Sequence, residues 1–473
     1  MSSTKLLLLC SLVLAASCFY GAAATASKGH LYTYKWKNLT KTTTKNLTVH
    51  VIAHTHCDPG WLKTFDDYYI GARNDIQWAG VRYIIDAVVQ ELAMHPDRKF
   101  IWVEISFFSR WWKEQKPQTQ TLVNKLIDNG QLEFISGGWV MHDEAASYYE
   151  DQIDNMAVGH QFLKDTFNYK PKIGWQIDPF GHSATTAAFF SKMGFNGYWF
   201  ARPDYQHKAQ RLVDKSMEMI WVPNTSQGNE NQIFGAFTYN EYAAPRGFCY
   251  DITCSDDPIS YDPTMMNYNL DEKLADITNY FRNMSEAYQS DHLIHTWGED
   301  FNFQAAGAYY RNLDILMDVV NSRYDQYGIK MIYSTPSQYL KALNSKNITF
   351  PKNVDDFFPY ADRPNAFWTG YFTSRVSQKG YTRHSGRLFQ NIRRLVAQKL
   401  LSDSSVYLKK QLKAVLATFA SAEENRGLLQ HHDAVAGTAK QRVKEDYMYR
   451  MEKSMNEIHA VFIVCFFSIA HIY

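Results

Sequence analysis

Short apolar runs alternate with helical periods over the first two thirds of the chain. Thr48-Val49-His50-Val51-Ile52-Ala53 is nearly continuous in apolar character, the pattern of a strand covered on both faces. Val81, Ile84, Ile85, Val88 and Leu92 then recur at helical spacing, and Phe100-Ile101-Trp102-Val103 reads as a second strand. Leu122 to Ile127 lie in a helix that stops near Gly130, and Leu132 to Ile135 form the next strand. Further strands are predicted at 172–177, 197–201, 233–237, 293–296 and 331–333. This order predicts an α/β domain over 48–345, mostly a parallel sheet or barrel-like, with its chemistry on loops leaving the strand ends. His54 to Asp58 leave one such end, Asp178 another, and Glu299 and Asp300 a third. The competing arrangement is an unrelated α+β fold.

The pattern changes near residue 345. Leu388, Ile392 and Leu395, then Leu408, Leu412, Val415 and Phe419, mark amphipathic helices with no strand between them. A helical bundle is therefore expected to start over 381–460, after an aromatic linker at 346–380 that shows no clear period. The apolar stretch at 461–473 is short for a membrane anchor and patternless for an amphipathic helix, and reads as an atypical tail.

Composition narrows the function. The 473 residues are 45% hydrophobic and 21% charged, an ordinary globular balance, and the length favours two or three domains. A formal charge of +1 provides no global field for nucleic acid. Aromatic residues make up 15%, suited to stacking on sugar faces as well as to filling a core. Lys5, the apolar run Leu6 to Ala16 and the small residues before Ala26 read as a cleavable signal peptide over 1–26, with no membrane span expected. Sequons at Asn38, Asn46, Asn224, Asn283 and Asn347 agree with the secretory pathway. Cys249 and Cys254 flank four residues and can close a small loop in an oxidising lumen, whereas Cys57 and Cys465 have no evident partner.

Two polar strings carry candidate chemistry: His54-Thr55-His56-Cys57-Asp58-Pro59-Gly60-Trp61 and His431-His432-Asp433. Together they offer imidazole nitrogen and carboxylate oxygen to one divalent metal, most naturally zinc, provided the helical region packs on the active face of the sheet. Asp178, delivered by an apolar strand into a Pro/Gly turn, is the candidate anionic ligand. The structural alternatives are satisfied strand-end histidines and an aspartate that caps a helix or turn.

Three separated motifs then carry a resemblance: His-Thr-His-x-Asp-Pro-Gly-Trp-Leu-Lys-Thr at 54–64, Gln-Ile-Asp-Pro-Phe-Gly-His-Ser at 176–183 and His-His-Asp-Ala-Val-Ala-Gly-Thr at 431–438. In this order they resemble the retaining α-mannosidases of glycoside hydrolase family 38, and the likeness runs from about 48 to about 453. The Phe367 to Arg375 string and the Ala-Val-Ala of the last motif are similar to the lysosomal type. The resemblance implies zinc held by His56, Asp58, Asp178 and His432, with Asp178 also the nucleophile and Asp300 the acid/base. It implies substrate contacts from Trp61, Phe180, Arg202, Tyr250 and Asp433, and a Cys249–Cys254 disulfide that holds Tyr250. The implied substrates are mannose-terminated oligosaccharides and glycoproteins, in the lysosome or vacuole or outside the cell.

Departures accompany the resemblance. Cys57 stands where relatives carry Asn or Asp, and its side chain is expected to point away from the metal because neighbours in an extended segment face opposite ways. The role of Glu299 is unassigned. Family members continue with further helical and β-sandwich segments, so the expected fold lacks the C-terminal β domains of the family. That shortness opens a second reading, a catalytically inactive truncated glycan-binding protein. The ligand set alone also fits a zinc-dependent sugar deacetylase.

Overall fold

The structure, a computed structural model, describes residues 46–402 and 406–467. The signal segment, Asn38 and the last six residues of the tail lie outside that range. The described residues contain ten strands: β1 (Leu47–Ala53), β2 (Phe100–Trp102), β3 (Leu132–Phe134), β4 (Ile173–Gln176), β5 (Gly197–Phe200), β6 (Glu218–Trp221), β7 (Ile233–Phe237), β8 (His292–Trp297), β9 (Ile329–Tyr333) and β10 (Lys352–Asn353). They form sheets ordered β8-β1-β9, β2-β3 and β10-β6-β7-β5-β4. Every pairing is parallel except β6 with β7. The sequence pattern missed β6, a four-residue strand with a glutamate inside it, and that strand is where the parallel order breaks.

The period of two along each strand explains how the sheets are covered. Val49, Val51, Trp102, Phe134, Tyr198, Phe200, Phe237 and Leu293 share one cluster with the helices. The intervening positions Ile52, Ile101, Ile135, Trp175, Trp199, Phe234 and Ile294 meet in a second cluster fed by all three sheets. The strands therefore curl around a common apolar interior in a barrel-like arrangement. Ser136 ties the sheet edges together: its backbone N–H donates to the Ile173 carbonyl at 2.6 Å, and its hydroxyl accepts from the Trp175 N–H at 2.7 Å. Each buried indole removes roughly 150–250 Å² from water, on the order of 4–6 kcal/mol of gross stabilisation.

The bundle follows the α/β domain as the periodicity predicts, with helices at Val376–Ser402, Val406–Leu429 and Gln441–Phe467. The first begins inside the expected linker. The third runs on through the start of the apolar tail, where Cys465 packs with Phe389, Phe419 and Ile458. The rest of the linker is ordered against the α/β domain, with Phe357 bridging His182 through backbone hydrogen bonds of 3.1 and 2.8 Å. None of the helices in the described residues is long and apolar enough to cross a membrane. Asn46 and Asn347 are exposed, while Asn224 and Asn283 are half-buried.

One buried ion cluster fastens the bundle to the α/β domain. Arg426, on the second bundle helix, pairs with Asp151 and with Asp154 at 3.1 Å, both on the helix Tyr149–Phe167, and stacks 4.2 Å from the Phe389 ring centroid. Truncating the cation leaves Asp151 buried without its partner, so Arg426→Ala should lose about 3–5 kcal/mol in denaturant unfolding. The Arg426→Ala/Asp151→Ala double variant should recover part of that loss.

The barrel interior also holds an acid. Glu218 accepts a hydrogen bond from the Tyr339 hydroxyl, and burial pushes its carboxyl up to about 7. The folded state therefore favours the protonated form. Its contribution is complete below pH 4.5, the group's ordinary value, and is lost as pH rises through about 7. Stability measured between those pH values should fall by up to about 3 kcal/mol, and Glu218→Gln should flatten that decline.

Candidate active site

The carboxyl ends of six strands deliver polar side chains to one mostly buried cluster. His56 and Asp58 follow β1, Glu104 follows β2, Asp178 follows β4, Arg202 follows β5, Tyr242 follows β7 and Asp300 follows β8. The β1–β8 pairing extends past both strands as a bridge between His56 and Asp300, with the Phe301 N–H donating to the His56 carbonyl at 2.7 Å. Gly298 makes that approach possible. Its φ is +146°, and a Cβ there would lie 1.9 Å from the His54 carbonyl oxygen.

The second polar string arrives from the bundle. After the helix ending at Leu429 the chain turns, and His431 pairs with His142 in a backbone bridge. Asp143 N–H donates to the Gln430 carbonyl at 2.8 Å and His432 N–H to the Met141 carbonyl at 3.3 Å. Linker side chains clamp the following turn: Gln378 donates to the Ala434 carbonyl at 2.8 Å, and Ser374 and Lys379 donate to that of Ala436, each at 2.7 Å. Tyr447 of the last helix donates to the Pro59 and Gly60 carbonyls at 2.9 and 2.8 Å, locking the first motif to the third. A Cβ at residue 60 would sit 2.3 Å from that hydroxyl.

His56, Asp58, Asp178 and His432 are all buried, and their donor atoms lie within 4.8 Å of one another. His56 Nε2 is 2.8 Å from Asp58 Oδ1 and 3.3 Å from Asp178 Oδ2, and His432 Nε2 is 3.2 and 2.9 Å from the same atoms. Ligands bonded at about 2.0–2.1 Å to a tetrahedral ion lie about 3.4 Å apart, so this donor set needs only small adjustment to hold a divalent metal. The outward nitrogen of His432, Nδ1, is fixed at 2.8 Å to the Met141 carbonyl, which aims Nε2 into the cluster. His431 Nε2 lies 3.1 Å from Asp58 Oδ1, giving an overlapping group with His432 and Asp433.

Charge agrees with this geometry. Burial opposes protonation of His56 and His432, but Asp58 and Asp178 outweigh it and hold both imidazoles well above their ordinary pKa. The two carboxylates thus demand positive charge at their centre, which a divalent cation also satisfies. Burial alone would raise Asp178, yet Arg202, His432 and His56 hold it well below the usual range. Arg202 Nε donates to Asp178 Oδ1 at 2.9 Å, and the guanidinium also lies over the Trp368 ring. Desolvation, with Asp58 and Asp178 adding to it, pushes Asp300 up to about 7. Asp433 rises to about 8 through burial and the nearby Asp58.

The remaining candidates divide. Phe180 meets the His432 ring edge-on at 5.9 Å and packs with Trp368 and Tyr371. Trp61 is half-buried against the main apolar cluster, its carbonyl accepting from the Lys440 N–H at 2.9 Å. Tyr250 packs on Phe248 and Tyr309. The Cys249–Cys254 disulfide is present, and its loop reaches the Asp300 segment through Asn302, whose amide donates to Thr253 at 2.9 Å. Cys57 lies in the apolar cluster against Thr55, outside the donor group, and Glu299 is half-buried. Sequence reasoning missed Tyr242, which no spacing singles out, and Glu104, whose place after a buried apolar strand matches that of Asp178.

The chain matches the Glycosyl hydrolases family 38 N-terminal domain over residues 46–363 and the Alpha mannosidase middle domain over 366–465. It belongs to glycoside hydrolase family 38. It is 42% identical over 415 residues to the lysosomal alpha-mannosidase of Dictyostelium discoideum, covering 88% of this chain and 40% of that protein. The lysosomal alpha-mannosidase of Homo sapiens is 43% identical over 414 residues, covering 85% of this chain and 40% of its own length. The chain thus spans about 40% of the length of these curated relatives. An alpha-mannosidase structure from Enterococcus faecalis V583 shares the fold with a TM-score of 0.68 at 16% identity, over 89% of this chain and 42% of that one.

A metal held by these donors stabilises the folded chain by mass action, about 2.7 kcal/mol when free ion exceeds Kd a hundredfold. Thermal unfolding should shift upward on adding a divalent ion to the wild type, and the shift should vanish in His432→Ala.

Proposed function

We propose that this chain carries the machinery for retaining hydrolysis of terminal α-linked mannose from glycoprotein glycans and oligosaccharides, with zinc as its metal. The observation that carries the reading is the Tyr242 hydroxyl, which lies 3.2 Å from Asp178 Oδ1 and 3.0 Å from Asp300 Oδ1 beside the four-donor cluster. Those two lengths laid end to end limit the facing oxygens to about 6 Å. That close approach is compatible with the short carboxyl spacing of retaining glycosidases.

In this reading His56, Asp58, Asp178 and His432 hold the zinc, which supplies Lewis-acid charge beside the vicinal hydroxyls of mannose. Asp178, kept ionised by Arg202, attacks the anomeric carbon while Asp300 gives its proton to the leaving oxygen. The aglycone departs and a mannosyl ester remains on Asp178. Asp300, now a carboxylate, takes a proton from water, whose oxygen attacks the anomeric carbon from the vacated face. Mannose leaves with its configuration retained and Asp178 is restored. Tyr242 positions both carboxyl groups, Trp61 and Phe180 provide apolar walls for the ring, and Asp433 lies within reach of its hydroxyls. A secretory-pathway location, in a lysosome or vacuole or secreted, belongs to this reading; two relatives named lysosomal alpha-mannosidase support it. Exposed sequons at Asn46 and Asn347 agree.

Proton NMR of an aryl α-mannoside digest, read before mutarotation, should show the α-anomer first. Asp300→Asn should lower kcat by about 10²–10⁴, and Asp178→Ala should remove turnover. First appearance of the β-anomer, undiminished turnover in Asp178→Ala, or release of acetate in place of mannose from acetylated substrates would overturn the proposal.

A further inference from the structure

The two histidines of the donor set differ on their outward side. His432 already gives its Nδ1–H to a backbone carbonyl at 2.8 Å. His56 Nδ1 is buried and has no hydrogen-bond partner among the described residues. A neutral imidazole that coordinates through Nε2 must carry its proton on Nδ1, and a buried N–H without an acceptor costs about 1–3 kcal/mol.

Glu104 faces that nitrogen. It follows β2 directly, is 1% exposed, and both its carboxylate oxygens lack a hydrogen-bond partner. Its Oε1 lies 3.8 Å from His56 Nδ1. Two complementary groups, each buried and each unsatisfied, thus sit about 1 Å beyond the 2.7–2.9 Å of a charge-assisted hydrogen bond. The nearby thiol of Cys57 does not compete, because its contact is with Thr55.

We infer that Glu104 is a positioning residue of the metal site: its carboxylate takes the His56 Nδ1–H, fixing the tautomer and ring orientation that present Nε2 to the ion. The inference rests on the metal-site reading above and extends it to a residue outside the donor set. Glu104 acts through His56 and touches neither sugar nor reacting atoms.

The test measures zinc affinity of the whole chain by competition with a chromogenic chelator, for wild type, Glu104→Gln and Glu104→Ala, with thermal unfolding of each metal-free protein alongside. Glu104→Ala should weaken zinc binding 10–100-fold. Glu104→Gln, whose amide oxygen still accepts, should fall between it and wild type. The metal-free melting temperature of both variants should equal or exceed that of wild type, because an unpaired buried carboxylate has been removed. Zinc affinity of Glu104→Ala within twofold of wild type overturns the inference, as does a lowered metal-free melting temperature with unchanged affinity. Should the alanine chain fail to fold, unchanged affinity in Glu104→Gln overturns it equally. A wild-type chain that takes up no zinc removes the metal-site reading itself, which separates that failure from the failure of Glu104 alone.

Discussion

The constraint on which this structure depends is the meeting of His432 with Asp58 and Asp178. His432 lies 374 positions from Asp58 and 254 from Asp178, yet it meets them in buried contacts of 3.2 and 2.9 Å, and neither domain completes the group alone. The strand ends supply the carboxylates and one imidazole, and the bundle supplies the other. Buried acids at this density are unfavourable without compensating positive charge. The packing of the bundle on the barrel mouth is therefore an electrostatic requirement as well as an apolar one.

The supporting contacts follow from that requirement. Arg426 fastens the helix that precedes the His-His-Asp turn, and Tyr447 pins the first motif from the helix that follows it. Linker side chains hold the turn itself through three backbone carbonyl contacts. The aromatic linker had no periodic pattern because, apart from two-residue β10 and the first turn of the bundle helix, it is mostly irregular chain. It closes over the motif loops, with Tyr371 donating to the Phe180 carbonyl at 3.0 Å.

Much of the fold was legible because the barrel strands are covered on both sides. Each of the ten strands among the described residues has a parallel partner, and continuous apolar runs mark most of them, whereas β6 offers only a short run behind the inward Glu218 and two-residue β10 none. The donor group was legible for another reason: its members sit in compact strings whose chemistry is visible in the letters. Tyr242 and Glu104 were not, since a tyrosine among 31 and a glutamate among many acquire meaning only when other strands bring Asp178, Asp300 and His56 to them. Tyr250 was legible only by likeness, and its ring packs with Phe248 and Tyr309.

In the proposed function, side chains from both domains surround a single cation. Zinc K-edge X-ray absorption on the purified chain, compared with His432→Ala, tests it most directly. The expected spectrum is that of one zinc per chain with two imidazole and two carboxylate ligands near 2.0–2.2 Å, with one imidazole lost in the variant. An unchanged coordination shell in His432→Ala would contradict it.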